Sequence, residues 1–314
     1  MILAPMQGLT EVLFRRVYEE CFPGAVEKAV APFLSLTHNL HQASPRARAL
    51  YLRDVLPENN EGSIPVIPQI LGKEPDEFVE LDHMLYDLGY REVNWNMGCP
   101  MRAVTGKHRG SGILPYPGEV RAMLEAVVPK MKCRLSVKMR LGLRDKREIF
   151  DIIPILNDYP LASVTVHPRT GKQQYGGMVD LETFAEVLPM VKAPVIYNGD
   201  ICTVQDIRRI ETRFPQVSDI MVGRGLLYDP ALPLKRRQDD GTARQRDDKT
   251  KRFIRRLMEE IKTRIPHEEA RLRKTKEYWS LLWKSLPISE MQAREVLRAQ
   301  DAKLVDNLIE GFTQ

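Results

Sequence analysis

Residues 194–225 read PVIYNGDICTVQDIRRIETRFPQVSDIMVGRG. Two short apolar runs, at 194–198 and 219–222, flank a stretch over 203–214 whose apolar residues recur at helical spacing. The runs are almost continuously hydrophobic, which is typical of strands buried on both faces of a parallel sheet. This strand–helix–strand unit predicts an α/β fold with right-handed crossovers.

The same pattern extends back to the N-terminus, so the chain carries eight candidate strands. They lie at residues 2–6, 25–33, 64–71, 92–97, 135–140, 163–167, 194–198 and 219–222. Helical patterns at 75–88 and 117–128 open with a proline, which suits a first helical turn, and Thr10 can cap the helix after the first strand. Eight strands alternating with helices predict a (β/α)8 TIM barrel. A doubly wound open sheet is the alternative, although its usual glycine-rich first turn is missing.

The chain changes character after Pro230. Residues 235–251 are charged and polar, with Ala243 as their single apolar residue, and predict a linker or hinge. Apolar residues at helical spacing then predict a small all-helical domain over 252–314, which follows a catalytic body over 1–234.

The excess positive charge lies in this C-terminal part. The formal net charge is +5; residues 231–314 hold 20 Lys and Arg against 14 Asp and Glu, whereas the first 230 residues hold 27 against 28. A neutral body with a basic attachment favours a polyanionic partner. A solvated helical surface with a chance excess of basic residues is the alternative.

Polar residues follow the predicted strands at the end where the active site of a TIM barrel lies. The last two strands end in Asn198-Gly199-Asp200 and Gly223-Arg224-Gly225. Glycines let backbone N–H groups approach a ligand and a guanidinium adds charged hydrogen bonds, so these ends predict a phosphate site. Ordinary turn glycines are the alternative.

Gln69, Lys138 and His167 end three earlier strands. An amide can read the edge of a ring, an ammonium can stabilise negative charge on it, and an imidazole can bond the ring or a phosphate. Each residue alone is compatible with a structural role, but together they favour a planar, anionic cofactor.

Cys99 lies between Gly98 and Pro100 at the end of the fourth strand. Because cationic side chains such as Lys138 are expected in the same mouth, we expect a depressed thiol pKa and a reactive residue. Its role is then that of a nucleophile or of a general acid. The other three cysteines fit the commoner role of small buried residues.

The composition argues against several other classes of protein. The four cysteines have no CxxC spacing, so neither a disulfide framework nor a metal site is expected, and reduced thiols indicate the cytoplasm. The N-terminus shows no charged and apolar leader, and no apolar run approaches about 18 residues, so we expect neither a signal peptide nor a membrane span. The absence of a His/Asp cluster with ligand spacing disfavours a metal-dependent barrel hydrolase.

The ordered set of motifs resembles that of the tRNA-dihydrouridine synthases. The motifs are Ala4-Pro5-Met6, Gln69, Asn96-Met97-Gly98-Cys99-Pro100, Lys138-Met139-Arg140, His167-Pro168-Arg169, Asn198-Gly199-Asp200 and Gly223-Arg224-Gly225. The resemblance spans residues 1–230 and continues into 271–279, RLRKTKEYW, which look like the family's tRNA-binding helix. The start, Met6-Gln7-Gly8-Leu9, leans toward bacterial subfamily C.

The resemblance implies an FMN-binding TIM barrel with a C-terminal helical tRNA-binding domain. It implies that NADPH reduces the FMN, that hydride passes to C6 of a uracil in tRNA, and that Cys99 protonates C5. The implied FMN-binding residues are Pro5, Met6, Gln69, Lys138, His167, Asn198, Gly199, Asp200, Gly223 and Arg224. The implied substrate-binding residues are Asn96, Arg102, Arg140, Arg169, Arg271, Arg273, Lys274 and Lys276, with Tyr278 and Trp279 available to stack on bases. A monomer is the default expectation, and no dinucleotide fingerprint separates NADPH from NADH.

Two departures and two alternatives accompany the resemblance. The loop over 101–112 is more basic than is usual in the family, so Arg102, Lys107 and Arg109 are further candidates for the tRNA rim, and the long charged segment leaves the domain placement open. A flavin barrel acting on a free pyrimidine, similar to the dihydroorotate dehydrogenases, does not explain the basic C-terminal part. A non-catalytic RNA-binding module does not explain the intact set of polar strand ends.

Overall fold

The computed structural model describes residues 1–35, 43–237 and 242–314. Its strands form one parallel sheet in the order β3-β5-β6-β7-β8-β9-β10-β1-β2-β4. The strands are β1 (Ile2–Leu3), β2 (Lys28–Val30), β3 (Leu34–Ser35), β4 (Val66–Ile67), β5 (Gln69–Leu71), β6 (Glu92–Met97), β7 (Arg134–Gly142), β8 (Val164–Thr170), β9 (Val195–Asn198) and β10 (Asp219–Val222).

The sheet closes on itself because two of the predicted strands are split. The second predicted strand contains β2 and continues into β3, and the third contains β4 and β5. Pro32 and Pro68 lie at the two breaks, because proline has no N–H to donate to a neighbouring strand. β2 pairs with β1 and β4, whereas β3 pairs with β5. The ten segments therefore make the eight strands of a barrel, and the predicted TIM barrel is confirmed.

The inside of the barrel has an apolar side and a polar side. On β1, β2, β9 and β10, a small core separate from the main one contains Ile2, Ala4, Val30, Ile196 and Met221. On β5 to β8, every second residue packs in the outer core, and the residues between them face the inside of the barrel. These inward-facing side chains are polar and buried: Gln69, Asn94, Asn96, Ser136, Thr165 and His167. Buried polar groups cost free energy unless they are bonded, so the polar side marks where function is expected.

Helices cover the outside of the barrel. They are α1 (Val12–Cys21), α2 (Pro45–Leu52), α3 (Pro57–Asn60), α4 (Pro75–Asp87), α5 (Arg102–Thr105), α6 (Pro117–Val127), α7 (Ile149–Leu156), α8 (Leu181–Val187), α9 (Val204–Arg213), α10 (Arg224–Tyr228) and α11 (Leu232–Arg237). The predicted helices at 75–88, 117–128 and 203–214 are confirmed by α4, α6 and α9.

Thr10 does not cap α1, contrary to expectation. Its hydroxyl donates to the Ala4 carbonyl at 2.9 Å and accepts from the Met6 N–H at 2.8 Å, and α1 begins after Glu11. The side chain is therefore used to fold the segment that follows β1, which is a competing local bond open to a threonine.

Four helices follow the barrel: α12 (Ala243–Arg264), α13 (Glu268–Leu282), α14 (Glu290–Arg298) and α15 (Ala302–Thr313). They confirm the predicted all-helical C-terminal region. No helix within the described ranges is long and apolar enough to cross a membrane.

Within the described residues, the charged segment 235–251 is helical except at Thr242, and its interpretation as a linker or hinge stays a prediction. α11 reaches Arg237, α12 begins at Ala243 behind a capping box of Thr242 and Gln245, and residues 238–241 of the segment lie outside the described residues. Arg, Gln and Lys are good helix formers whose charges require only a solvated face, so charged composition does not exclude a helix. The domain boundaries themselves stay a prediction.

The C-terminal helices dock on the barrel through an aromatic cluster. Phe253 of α12 meets Phe14, Tyr18 and Phe22 of α1 edge-on, with ring centroids 5.5–5.9 Å apart, and Tyr278 of α13 stacks on Phe14 at 6.2 Å. Such rings bury large apolar areas in a defined geometry, so this contact fixes the helices against α1.

Tyr278 and Trp279 are fully buried, so the expectation that they stack on RNA bases is wrong. The Tyr278 hydroxyl donates to the Leu9 carbonyl at 2.7 Å, and the Trp279 indole N–H donates to the Ala293 carbonyl at 3.1 Å. Both rings are used to join α13 to its neighbours, which a local aromatic pattern does not reveal.

Candidate active site

A cleft of about 510 Å³ opens at the C-terminal ends of the strands, within the usual range for cofactor sites. All ten residues predicted to bind the cofactor line it: Pro5, Met6, Gln69, Lys138, His167, Asn198, Gly199, Asp200, Gly223 and Arg224. Cys99, Asn96 and Arg140 line it as well, whereas Arg102, Arg169, Arg271, Arg273, Lys274 and Lys276 do not. The structure thus gathers the core of the predicted set, and the roles of these residues stay predictions.

Asp200 organises the end of the cleft beside β9 and β10. Its backbone φ is 46°, in the left-handed region that a non-glycine residue seldom adopts outside functional sites. Its carboxylate accepts from Arg169 at 2.5 and 2.8 Å and from Arg224 at 3.2 Å. Because a carboxylate repels a phosphate, we expect Asp200 to hold Arg224 in place, with Arg224 as the group that meets a phosphate.

Arg169 is buried and ties down the loop after β8. Besides Asp200, its guanidinium donates to the Gly176 and Gly177 carbonyls and to Nε2 of His167, the last at 3.1 Å. The side chain is 2 % exposed. Its position therefore suits a support for the site more than the predicted contact with tRNA.

His167 presents a neutral ring to the cleft. Since an arginine only donates, Nε2 of His167 accepts from Arg169, and the neutral tautomer carries its proton on Nδ1. Burial, followed by the charges of Arg140 and Lys138, holds the pKa of His167 well below its usual value. Its Nδ1–H has no partner among the residues that the structure describes.

Lys138 reaches the cleft from the middle of β7. Its ammonium makes no hydrogen bond or ion pair with any described residue, and desolvation, with a smaller effect of Arg140, lowers its pKa to about 7. A desolvated ammonium without a counter-charge is stabilised by an anion bound beside it.

The backbone of Cys99 is held from two sides. Oδ1 of Asn96 accepts from the N–H groups of Gly98 at 3.0 Å and Cys99 at 2.9 Å, and the Cys99 carbonyl accepts from both the N–H and the hydroxyl of Ser111 at 3.0 Å. A Cβ on Gly110, whose φ is +57°, would lie 2.7 Å from that carbonyl oxygen. The turn is therefore fixed, and it holds the thiol at the cleft.

Burial raises the pKa of the Cys99 thiol above its usual value. A hydrogen bond from the Met101 backbone and the charges of Arg140 and Lys138 lower it, but less than burial raises it. The expected depressed pKa of the thiol is therefore wrong, because burial of the thiol outweighs the nearby positive charges. A thiol that stays protonated at neutral pH suits a general acid and not a nucleophilic thiolate.

Arg140 joins the turn of Cys99 to the loop after β8. It is 2 % exposed and donates to the carbonyls of Gly98 at 2.9 Å, Thr170 at 2.8 Å and Gln174 at 2.6 Å. Burial lowers its pKa to about 10. At the cleft wall it can still add positive potential toward a bound substrate.

The basic residues of α13 fall into two groups. Arg271, Arg273 and Lys276 make no side-chain hydrogen bond or ion pair with a described residue, and neither does Arg102 on exposed α5. Lys274 instead donates to the Gly8 carbonyl and pairs with Glu277 at 3.2 Å. The first group is available to an external polyanion, whereas Lys274 is used inside the molecule.

Several site residues escaped the sequence reasoning. Asn94 and Ser136 stand two positions before Asn96 and Lys138, so the alternation of a strand was a usable signal for them. Tyr175, whose ring lies 5.6 and 5.0 Å from the guanidinium groups of Arg140 and Arg224, and Leu281 of α13 line the cleft itself, whereas Asn94 and Ser136 lie behind its wall. The positions of Tyr175 and Leu281 depend on how a loop and a distant helix fold back onto the barrel, which no local sequence pattern indicates.

The cleft lies at the carboxyl rim of the strands, where TIM-barrel enzymes carry their active sites. The model of the dihydrouridine synthase family matches residues 2–308. The chain belongs to this family, whose reaction is the reduction of uridine to dihydrouridine, and the resemblance seen in the motifs is confirmed.

Curated relatives match along about three quarters of the chain or more, and some along nearly all of it. The tRNA-dihydrouridine(16) synthase of Neisseria meningitidis serogroup B is 27% identical over 99% of this chain and 94% of its own length, and that of Cupriavidus necator is 28% identical over 99% and 97%. The tRNA-dihydrouridine synthase B of Pasteurella multocida is 28% identical over 74% of this chain and 67% of its own length.

Solved structures share the fold at low sequence identity. Histamine dehydrogenase from Rhizobium sp. 4-9 has a TM-score of 0.56 at 10% identity, over 83% of this chain and 48% of that one. The old yellow enzyme from Trypanosoma cruzi has a TM-score of 0.51 at 10% identity, over 77% of this chain and 88% of that one. At this identity the likenesses show the fold alone.

Proposed function

We propose that this chain reduces the C5–C6 double bond of a uridine in tRNA, with FMN in the cleft, Cys99 as the acid and NADPH as the reductant. The observation that carries the proposal is the Cys99 thiol, kept protonated by burial and fixed at the lip of a cofactor-sized cleft. A monomeric, cytoplasmic form and a preference for NADPH over NADH belong to the same proposal.

The donor set of the cleft fits FMN. The ammonium of Lys138 and Nδ1–H of His167 have no partner in the described part of the chain, which suits the anionic edge of a reduced ring. At the other end, Arg224 is a third exposed and suits a phosphate. The chemistry that FMN supplies when bound is transfer of a hydride to C6 of the uracil.

The residues of the chain supply the proton and the geometry. Cys99 donates its proton to C5, so that hydride and proton together saturate the double bond. The thiolate that remains is stabilised by the charges of Arg140 and Lys138, which lower the pKa of the thiol. Asn96 keeps one amide N–H beyond its bond to Gln69 and lines the cleft, which suits an acceptor oxygen of the base.

The basic surface supports binding of tRNA. A base must leave its stack to reach a recessed cleft, which costs a few kcal/mol. Phosphate contacts from Arg102, Arg271, Arg273 and Lys276, all without a described protein partner, can offset that cost.

We propose position 16 of the tRNA as the target. The relatives from Neisseria meningitidis serogroup B and Cupriavidus necator, which match 99% of this chain, are named for position 16, whereas the synthase B relative leaves about a quarter of the chain unmatched. Which uridine is reduced depends on how the tRNA docks. Sequence similarity that extends over the C-terminal helices therefore supports position 16 as the target.

The test is mapping of dihydrouridine in tRNA from a strain without these enzymes, after incubation with the protein, FMN and NADPH. We expect the wild-type protein to form dihydrouridine at position 16 and Cys99→Ala to form none. In a tRNA that carries cytidine at position 16, we expect the wild type to form none either. Dihydrouridine at another position would contradict the target, and its absence from every position would contradict the activity.

A further inference from the structure

A row of polar side chains crosses the buried interior of the barrel beneath the cleft. Gln69 of β5, Asn94 of β6 and Ser136 of β7 are register partners on neighbouring strands. All three are at most 1 % exposed. Polar groups buried this deeply are expected to be fully bonded.

The row is one continuous chain of hydrogen bonds that ends at Cys99. The Cys99 N–H donates to Oδ1 of Asn96 at 2.9 Å, and Nδ2 of Asn96 donates to Oε1 of Gln69 at 2.7 Å. Nε2 of Gln69 donates to Oδ1 of Asn94 at 2.7 Å, and Nδ2 of Asn94 donates to Oγ of Ser136 at 3.0 Å. The Ser136 hydroxyl closes the chain on the Val93 carbonyl at 3.3 Å.

The two ends of this chain fix the orientation of every amide in it. The backbone N–H groups of Gly98 and Cys99 only donate, so Asn96 must turn its oxygen toward them. The Val93 carbonyl only accepts, so Ser136 donates to it and accepts from Asn94. A flip of any one amide would place two donors or two acceptors against each other, and each unpaired buried group costs about 1–3 kcal/mol.

Asn94 is the link that does not touch the cleft. Gln69 and Asn96 line the cleft and each keep one amide N–H beyond the chain, whereas the Asn94 side chain makes its hydrogen bonds among the described residues to Gln69 and Ser136. Whether Gln69 and Asn96 turn an amide N–H or an amide oxygen toward the cleft therefore depends on Asn94 and on Ser136, which lies behind Asn94.

We propose that Asn94, supported by Ser136, is a positioning residue that sets the orientation of Gln69 and Asn96 and, through Asn96, the turn of Cys99. The proposal rests on the proposed function of the cleft. It assigns no contact between Asn94 and the substrate or cofactor.

Asn94→Asp offers a test with a signature that a purely structural role would lack. A protonated aspartic acid reproduces the asparagine, since its carbonyl accepts from Gln69 and its hydroxyl donates to Ser136. An ionised aspartate only accepts, so the Ser136 hydroxyl must turn away from the Val93 carbonyl to donate to it, which reverses the last bond of the chain. Burial raises the pKa of this new carboxyl, so the change falls within an accessible pH range.

The measurements are kcat and KM with tRNA, and the absorption band of the bound flavin, for the holoenzyme between pH 5 and pH 8. We expect Asn94→Leu to lose about 100-fold in kcat at every pH, because small displacements of reacting groups have effects of this size. Asn94→Asp should match the wild type at low pH and fall toward Asn94→Leu as pH rises, with a parallel shift of the flavin band.

Val137→Ala is the matched control, because Val137 neighbours Ser136 on β7 but packs in the outer core. It should lower the stability of the fold and leave the kcat and flavin band of the wild type. If Asn94→Leu does not fold, Ser136→Ala takes its place, because it removes the hydroxyl that accepts from Asn94. We expect Ser136→Ala to shift the flavin band and lower kcat.

A flavin band and kcat in the Asn94 variants equal to those of the wild type, or a pH profile of Asn94→Asp that follows the wild type, would overturn the proposal. A wild type that binds flavin but reduces no uridine would contradict the proposed function instead. In that case the flavin band of Asn94→Asp and its dependence on pH still test the positioning role.

Discussion

The ammonium of Lys274, on α13, donates a hydrogen bond to the carbonyl oxygen of Gly8, in the segment that follows β1. Gly8 has a φ of +79°, and a Cβ there would lie 2.8 Å from Oε1 of Glu277, which pairs with Lys274. The Tyr278 hydroxyl holds the next residue, Leu9, and Leu281 lines the cleft. The C-terminal helices therefore form part of the catalytic cleft in addition to offering a basic surface.

Lys274→Met and Arg273→Gln should separate these two uses of α13. Lys274→Met should lower the free energy of unfolding by about 1.5–3 kcal/mol, the usual loss for a hydrogen bond made by a charged group. The dependence of tRNA affinity on salt should stay unchanged. Arg273→Gln should leave stability within about 0.5 kcal/mol and reduce the slope of log affinity against log salt by about 1.

Urea unfolding and tRNA binding at several salt concentrations measure both effects. A reduced salt slope for Lys274→Met with unchanged stability would return Lys274 to the RNA interface.

Cys99→Ala should keep FMN and tRNA binding and lose about 10²–10⁴ in kcat, the range for removal of a general acid. Because burial raises the pKa of the thiol above its ordinary value, the wild type keeps the acid form throughout the neutral range, and kcat should fall only in alkaline solution. Rates of flavin reoxidation by tRNA against pH measure this. A rise of kcat between pH 6 and pH 8 that Cys99→Ala abolishes would indicate a thiolate nucleophile.

Arg169→Met should destabilise the protein far more than loss of an exposed pair. Arg169 is 2 % exposed and its partner Asp200 is 32 % exposed, so we expect about 2–4 kcal/mol, somewhat below the cost of breaking a fully buried pair. Arg147→Gln is the control, because Arg147 and Glu186 are 59 % and 54 % exposed and such pairs contribute about 0–1 kcal/mol. Equal losses of stability, by urea unfolding, would contradict the assignment of Arg169 as a structural support.

The stability of the flavin-free protein should rise with pH between about 7 and 10 because of Lys138. Its pKa is about 7 in the folded chain and 10.5 in the unfolded one, so in this window the unfolded state binds a proton that the native state does not. The limiting slope for one group is about 1.4 kcal/mol per pH unit, and partial access to solvent reduces it. The difference in unfolding free energy between wild type and Lys138→Met isolates the effect, and a difference that is constant with pH would contradict the lowered pKa.

It was predictable that the cleft-lining residues lie close together, because in a barrel the ends of parallel strands are neighbours. Gln69, Lys138 and His167 are far apart in the chain, yet each was predicted near the carboxyl end of a strand, and parallel strands bring these ends to one rim. In the structure Lys138 and His167 lie inside β7 and β8, and all three residues still line the cleft. Knowledge of the fold class was therefore enough to place them together without knowledge of any individual contact.

The roles of individual cations were not predictable in the same way. Lys274 and Arg273 look alike in sequence, and only the fold shows that one meets a backbone carbonyl while the other has no described partner. For Cys99, the pKa depends on a balance between burial and nearby charges, and composition reveals the charges but not the burial. The charged start of α12 shows the same limit, since solvation of one helix face depends on what the other face packs against.

The most direct test of the whole account is an anaerobic spectral titration of the FMN-loaded protein. The flavin is reduced with NADPH, and tRNA without dihydrouridine is then added, with free uracil and orotate in parallel samples. The account predicts that tRNA restores the oxidised flavin spectrum and that neither free pyrimidine does so. A flavin that stays reduced with tRNA and is reoxidised by a free pyrimidine would contradict it and make the cleft that of a small-molecule enzyme.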